Sequence, residues 1–283
     1  MSLLGVVALL ILVGTSVSAE QSLAEKAASH PGVAGSRIVS GWEARDGQFP
    51  YMLYLRSVDV HGRISACGGS IIHHKWGMTS ARCIARRVVI MLWAGMVDLS
   101  RPRVYIETAS YFTAPEYMDD LHQLTQPHDI GLVGFNRHLE YSQFIQPIRL
   151  MRSADMNKEY AGVKMTTSGW GTDWTNGNPT QILNFVHLRG VNNIVCALWL
   201  QSSFHVRVST ICAGPYNVTS QGICSGDSGV PLTLLEEDGQ LTQVGVGSFV
   251  SSFGCHVGLP NAFVRPGHYH DWIRAVTGIQ FDW

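Results

Sequence analysis

Short apolar or alternating runs, separated by Gly, Pro, Asn and Asp, set the rhythm of most of this chain. Tyr51–Leu55, Val88–Leu92 and Val244–Val250 are representative, and each reads as a strand of a half- or fully buried sheet. Even, short strands of this kind suit antiparallel barrels. Helical periodicity of any length waits until the end, where His268–Thr277 places Trp272, Ile273 and Val276 on one face and predicts a final helix. The expected class is therefore all-β with a short C-terminal helix. The N-terminus breaks the pattern. Leu3–Val13 is apolar, too short to span a membrane, and is followed by the small residues of Val17-Ser18-Ala19. That arrangement predicts a signal peptide over 1–19. Residues 20–37, polar and rich in Ala, Ser and Gly around Pro31-Gly32, predict a short pro-peptide.

Composition narrows the setting. About 260 residues remain after the leader, enough for one large or two small cores. Six cysteines in an exported chain imply disulfides, and six allow 15 pairings. A net charge of −1 argues against nucleic acid or a charged membrane surface as partner. Of the 20 basic residues only Lys26, Lys75, Lys158 and Lys164 are lysines. Arginine keeps its charge where lysine begins to lose it, near pH 10, which suits a secreted protein of an alkaline medium such as a gut lumen. The histidines are scattered and no Cys/His spacing fits zinc, so neither metal nor cofactor is expected. Asn217-Val218-Thr219 is a sequon that makes Asn217 a glycosylation candidate.

Candidate chemistry lies in three blocks. Trp76-Gly77-Met78-Thr79-Ser80-Ala81-Arg82-Cys83 resembles the Trp-x-x-Thr-Ala-x-His-Cys block of the trypsin/chymotrypsin family. Asp129-Ile130-Gly131-Leu132 resembles that family's acid, and Gly226-Asp227-Ser228-Gly229 its nucleophile loop. Arg37-Ile38-Val39-Ser40-Gly41 is similar to its activation site, and Ile145-Gln146-Pro147-Ile148 to the segment between its two barrels. The resemblance implies two antiparallel six-stranded Greek-key barrels packed together, over 38–150 and 151–283, forming one serine-protease-like domain. It pairs Cys67 with Cys83, Cys196 with Cys212, and Cys224 with Cys255. It assigns Ser228 as nucleophile, Asp129 as orienting acid, and the amides of Gly226 and Ser228 as oxyanion donors. Cleavage after Arg37 by a trypsin-like protease would free an ammonium at Ile38 to pair with Asp227. Gly222 falls at the base of the substrate pocket, with Ser248 and Val250 on its wall. Gly254-Cys255 and Gly258-Leu259-Pro260-Asn261-Ala262-Phe263 resemble the collagenase-like chymotrypsins of arthropods most closely, although Asn261 and Ala262 stand where those have aspartate and glycine.

Three working positions depart from the pattern. Arg82 stands in the place of the general-base histidine; a guanidinium stays protonated and has no acceptor lone pair, so it cannot take the serine proton. A bidentate ion pair between Arg82 and Asp129 is expected instead, a structural clip in place of a relay. Val230 replaces a glycine where packing is tight and is expected to shift the nucleophile loop. Asn261 neutralises the pocket acid, and the methyl of Ala262 is expected to narrow the pocket. His128, directly before Asp129, should face away from Ser228. Together these readings predict a monomeric, secreted, non-catalytic serine protease homologue whose cleft holds a polypeptide or protease inhibitor. The competing reading is a weak serine endopeptidase of chymotrypsin, elastase or collagenase-like specificity, using water or a relocated histidine as base.

Overall fold

A computed structural model describes residues 41–201, 204–218 and 220–282. The expected signal peptide, pro-peptide, Arg37 and Ile38 lie outside the described residues, as does Thr219 of the sequon.

Among the described residues, fifteen strands carry the fold. The first half holds β1 (Trp42–Glu43), β2 (Met52–Asp59), β3 (Ile64–His73), β4 (Trp76–Thr79), β5 (Arg87–Ala94), β6 (Val104–Thr108), β7 (Tyr111–Thr113) and β8 (Gly131–Gly134). The second holds β9 (Arg149–Leu150), β10 (Lys164–Gly169), β11 (Asn184–Val191), β12 (Thr210–Pro215), β13 (Pro231–Leu235), β14 (Leu241–Phe249) and β15 (Asn261–Val264). Among the described residues, three α-helical segments join them: α1 (Ala81–Ile84), α2 (Asn193–Trp199) and α3 (His270–Thr277).

The second sheet closes on itself as a six-stranded antiparallel barrel, β10-β11-β12-β15-β14-β13, with β13 returning to β10. The first sheet runs β6-β5-β2-β3-β4-β8-β7 and stays half-open, so the two expected barrels appear as one closed barrel and one half-barrel. The link Ala109-Ser110, between β6 and β7, lies at the gap. Gly134 donates its N–H to Ser110 O at 2.9 Å, and the Thr108 hydroxyl donates to Gly134 O at 2.8 Å. These bonds bring the sheet's ends together without a strand ladder. β1, although early in the chain, pairs with β11 of the second sheet, and β9 lies parallel to β14.

Burial follows the strand pattern. On β2, Leu53, Leu55 and Ser57 point inward and Arg56 outward. β14 is buried along its whole length after Leu241, because it packs in its own barrel and against the other sheet. Gln243 bridges the two: Ser70 on β3 donates to its Oε1 at 2.6 Å, and its Nε2 reaches Gly245 O at 3.2 Å. A buried amide satisfied on both sides fixes how the sheets meet.

The disulfides are Cys67–Cys83, Cys196–Cys212 and Cys224–Cys255, the pairing implied by the resemblance. The first ties β3 to α1; the third lies beside the pocket. α3 forms as expected, with Ile273 fully buried, Trp272 and Val276 packed against the core, and Gly278 in the left-handed region at φ 71° as its C-cap. α2 was not legible: Cys196 is its only buried residue, so its apolar residues form no inward stripe.

Candidate active site

A single buried carboxylate organises the site. Asp129 is wholly buried at the entrance to β8. α1 buries Ala81, Cys83 and Ile84, which turns Arg82 toward that carboxylate. The Arg82 backbone N–H donates to Oδ1 at 2.8 Å and its Nε–H donates to Oδ2 at 2.8 Å. The Ser248 hydroxyl donates to Oδ2 at 2.8 Å. The contact therefore differs from the expected two-pronged guanidinium fork. The backbone amide takes one oxygen, and the buried Nη2 of Arg82 has no hydrogen-bond partner among the described residues. The hydroxyl of Ser248, a residue expected on the pocket wall, serves the carboxylate.

His128 is turned aside. Its backbone has φ 62°, and its Nδ1 meets the Tyr269 hydroxyl at 2.9 Å. His122, by contrast, lines the same cleft as Arg82 and Ser228. Its Nδ1 lies 2.9 Å from the Asp119 carbonyl.

Ser228 sits half-buried in a loop set by its glycines. Gly226 and Gly229 have φ of 93° and 86°, which side chains rarely adopt. A Cβ on Gly229 would lie 2.2 Å from Thr79 Oγ1 and 2.4 Å from Gly68 O. Gly68 donates to Ser228 O at 2.8 Å and Gly229 to Gly247 O at 2.7 Å, so both sheets hold the loop. No described residue hydrogen-bonds to the Ser228 hydroxyl.

Asp227 points the other way, into the protein, fully buried. It accepts the Gly171 N–H at 2.8 Å and the Cys224 N–H at 3.0 Å, and no described cation pairs with it. Burial raises its carboxyl to about 7, against the two amides that favour the charged form.

In the pocket, a Cβ on Gly222 would meet Asn261 Oδ1 at 2.7 Å, and that oxygen accepts the Ile223 N–H at 2.9 Å. Val250 packs on the Cys224–Cys255 bridge. Ala262 has no exposed surface and stands opposite Cys212 and Phe249. Trp174 stacks on His256 at 4.0 Å beside this bridge, a pairing across 82 residues of chain that no local pattern announced. Among the described residues, no group of three His, Cys, Asp or Glu side chains is placed to hold a metal ion.

The trypsin family model matches residues 38–273. A collagenase of Hypoderma lineatum is 34% identical over 245 residues, covering 87% of this chain and 89% of its own. Chymotrypsin-like elastase family member 1 of Canis lupus familiaris is 30% identical over 244 residues, covering 85% and 92%. The solved structure of HL collagenase matches with a TM-score of 0.76 at 33% identity, over 86% of this chain and 99% of that one. The chain belongs to the trypsin family.

Val230 is the departure from the trypsin-family loop that the packing explains best. It is fully buried, and its Cγ1 occupies the space in front of Gly68, where a Cβ would come within 2.4 Å. Gly169 and Gly247 face the same side chain, each with room for no more than hydrogen. Three glycines thus make the seat, and the loop keeps its ties to Gly68 and Gly247. Gly68→Ala is expected to cost about 1–3 kcal/mol of unfolding free energy by overpacking. In a Val230→Ala background most of that penalty should vanish, as denaturant unfolding of the double-mutant cycle would show.

Asp227 sets a pH dependence in the uncut trypsin-family chain. Its folded value lies above the ordinary carboxylate value, so the unfolded chain releases this proton first. The associated stability is complete below about pH 4 and is lost as pH rises through about 7, on the order of 4 kcal/mol in all. Thermal unfolding across that range should show the decline, and Asp227→Asn should flatten it.

Proposed function

We propose that this trypsin-family protein is a secreted, non-catalytic protease homologue that binds polypeptide in its cleft without cutting it. The observation that carries the reading is the commitment of Arg82: its amide and its Nε are both spent on Asp129, and it offers Ser228 no lone pair. Peptide hydrolysis needs a group that takes the serine proton and returns it to the leaving amine. The nearest sequence neighbour of Asp129 with that capacity, His128, is engaged by Tyr269. A held cleft without turnover suits a decoy for protease inhibitors, a cofactor of active proteases or a peptide binder. The three disulfides fit the oxidising setting of an extracellular protein.

Cleavage after Arg37 belongs to the same reading. A new ammonium at Ile38 would meet Asp227, whose buried carboxyl has two amides and no described cation, and would hold it ionised at neutral pH.

One observation favours the second reading, a weak serine endopeptidase. His122 lines the cleft with Ser228, and if its Nδ1 donates to the Asp119 carbonyl, Nε2 is left as an acceptor.

The test compares the natural protein, cut at Arg37, with Arg82→His on apolar peptide substrates. Loss of the base in a comparable triad costs on the order of 10⁶ in turnover, so Arg82→His is expected to gain at least about 10³-fold. Turnover by the natural protein that disappears with both Ser228→Ala and His122→Ala would establish the endopeptidase instead.

A further inference from the structure

Beside Ser228 lies a cleft of about 460 Å³ that none of Gly222, Val250 and Asn261 lines. Its walls include Asp59, Arg63, Arg82, Arg87 and His122. Three guanidinium groups thus face one small space, and their donors outnumber the acceptors offered to them.

The two carboxylates in reach are already occupied. Asp59, at the end of β2, accepts the His61 and Arg63 backbone N–H groups on Oδ1 at 2.9 and 3.0 Å. Its Oδ2 accepts Arg63 Nε at 2.7 Å. Asp129 is filled by Arg82 and Ser248, as described above. Arg87 is left over. Its side chain is only 8% exposed, its Nη1 stands 3.9 Å from Asp59, and its Nη2 makes one long bond of 3.5 Å to Arg82 O. Its Nε is buried with no hydrogen-bond partner, and so is Nη2 of Arg82. Burial pushes the Arg87 guanidinium below its ordinary range. Those two atoms are sealed from solvent, but the guanidinium groups that carry them line the cleft, and an anion held there would offset their charge. Arg63, with its side chain 64% exposed, stands where an arriving anion would be met.

We infer that this pocket binds a carboxylate carried by the polypeptide in the cleft, with Arg82 and Arg87 as its donors and Arg63 at its mouth. The inference rests on the polypeptide-binding reading and adds the chemistry of the bound chain: a free C-terminal carboxylate or an acidic side chain is held next to Ser228. The substitution that removes the base thereby supplies a ligand-binding cation. Arginine suits this role because its planar donor fork matches a carboxylate.

The test uses the full-length protein and three N-acetylated apolar tetrapeptides. One ends in a free carboxylate, one is its C-terminal amide, and one is the amide with an aspartate side chain. Titration is expected to show at least one carboxylate-bearing peptide binding about tenfold tighter than the plain amide, the scale of one charge-assisted hydrogen bond. Whichever of the two gains identifies the source of the carboxylate. Arg87→Gln should erase that gain, so that carboxylate and amide peptides bind the variant equally. Should Arg87→Gln fail to fold, the exposed Arg63→Gln should reduce the gain, and added salt should shrink it in the natural protein. Equal binding of carboxylate and amide peptides would overturn the inference while leaving the cleft reading intact. If no peptide binds but acetate alone raises the Tm of the natural protein and not of Arg63→Gln, the pocket stands and the polypeptide reading falls. If neither peptides nor acetate act, both fall.

Discussion

A carboxylate sealed from solvent must be answered by donors, and Asp129 is answered three times, by the Arg82 amide, Arg82 Nε and the Ser248 hydroxyl. That requirement governs the cleft. It draws α1 against β8, brings β14 across from the other sheet, and decides where the Arg82 side chain can go. A half-buried guanidinium bound to a buried carboxylate is hard to remove from either side, because the group left behind would be an unpaired charge. The same pair holds Arg82 in a position from which it cannot accept a proton. The architecture of the site and the silence proposed for Ser228 thus rest on one physical interaction.

The surrounding fold preserves the rest of the machinery. Glycines at 226 and 229 allow a loop that other residues would strain, and Gly68, Gly169 and Gly247 yield the space that Val230 fills. Cys67–Cys83 pins the segment carrying Arg82, and Cys224–Cys255 stands behind the pocket. A loop held this firmly is the scaffold on which the proposed binding role rests. The buried Asp227 carboxyl belongs to the same scaffold, since the loop's register depends on the amides of Gly171 and Cys224 that it accepts.

Much of this architecture was written in local pattern. Alternation along β2 and β5, and the Trp272–Ile273–Val276 face of α3, follow from side-chain period alone. The cysteine pairs followed from family resemblance, not from spacing. Other features were hidden because they depend on distant partners. Ser248 reaches Asp129 across 119 residues, and nothing near either residue signals the bond. The bonds of Thr108 and Ser110 to Gly134 at the gap in the first sheet join residues 26 and 24 apart in the chain. The seat of Val230 is invisible in sequence because its three glycines come from three separate strands. α2 escaped notice since Ile194 and Leu198 face outward, against the rule that helical periodicity marks a buried face. The guanidinium surplus beside Ser228 was likewise unreadable, for it arises only when β2, α1 and β5 converge.

The claim that Ser228 lacks a base is tested most directly by its rate of labelling with a fluorophosphonate, followed in the natural protein from about pH 5 to 9. The account predicts a slow rate that rises steadily with hydroxide and reaches no plateau, as for a serine without assistance. A sigmoidal profile with a midpoint near the ordinary imidazole range, about 6.5, would contradict it and show that a histidine serves Ser228 after all.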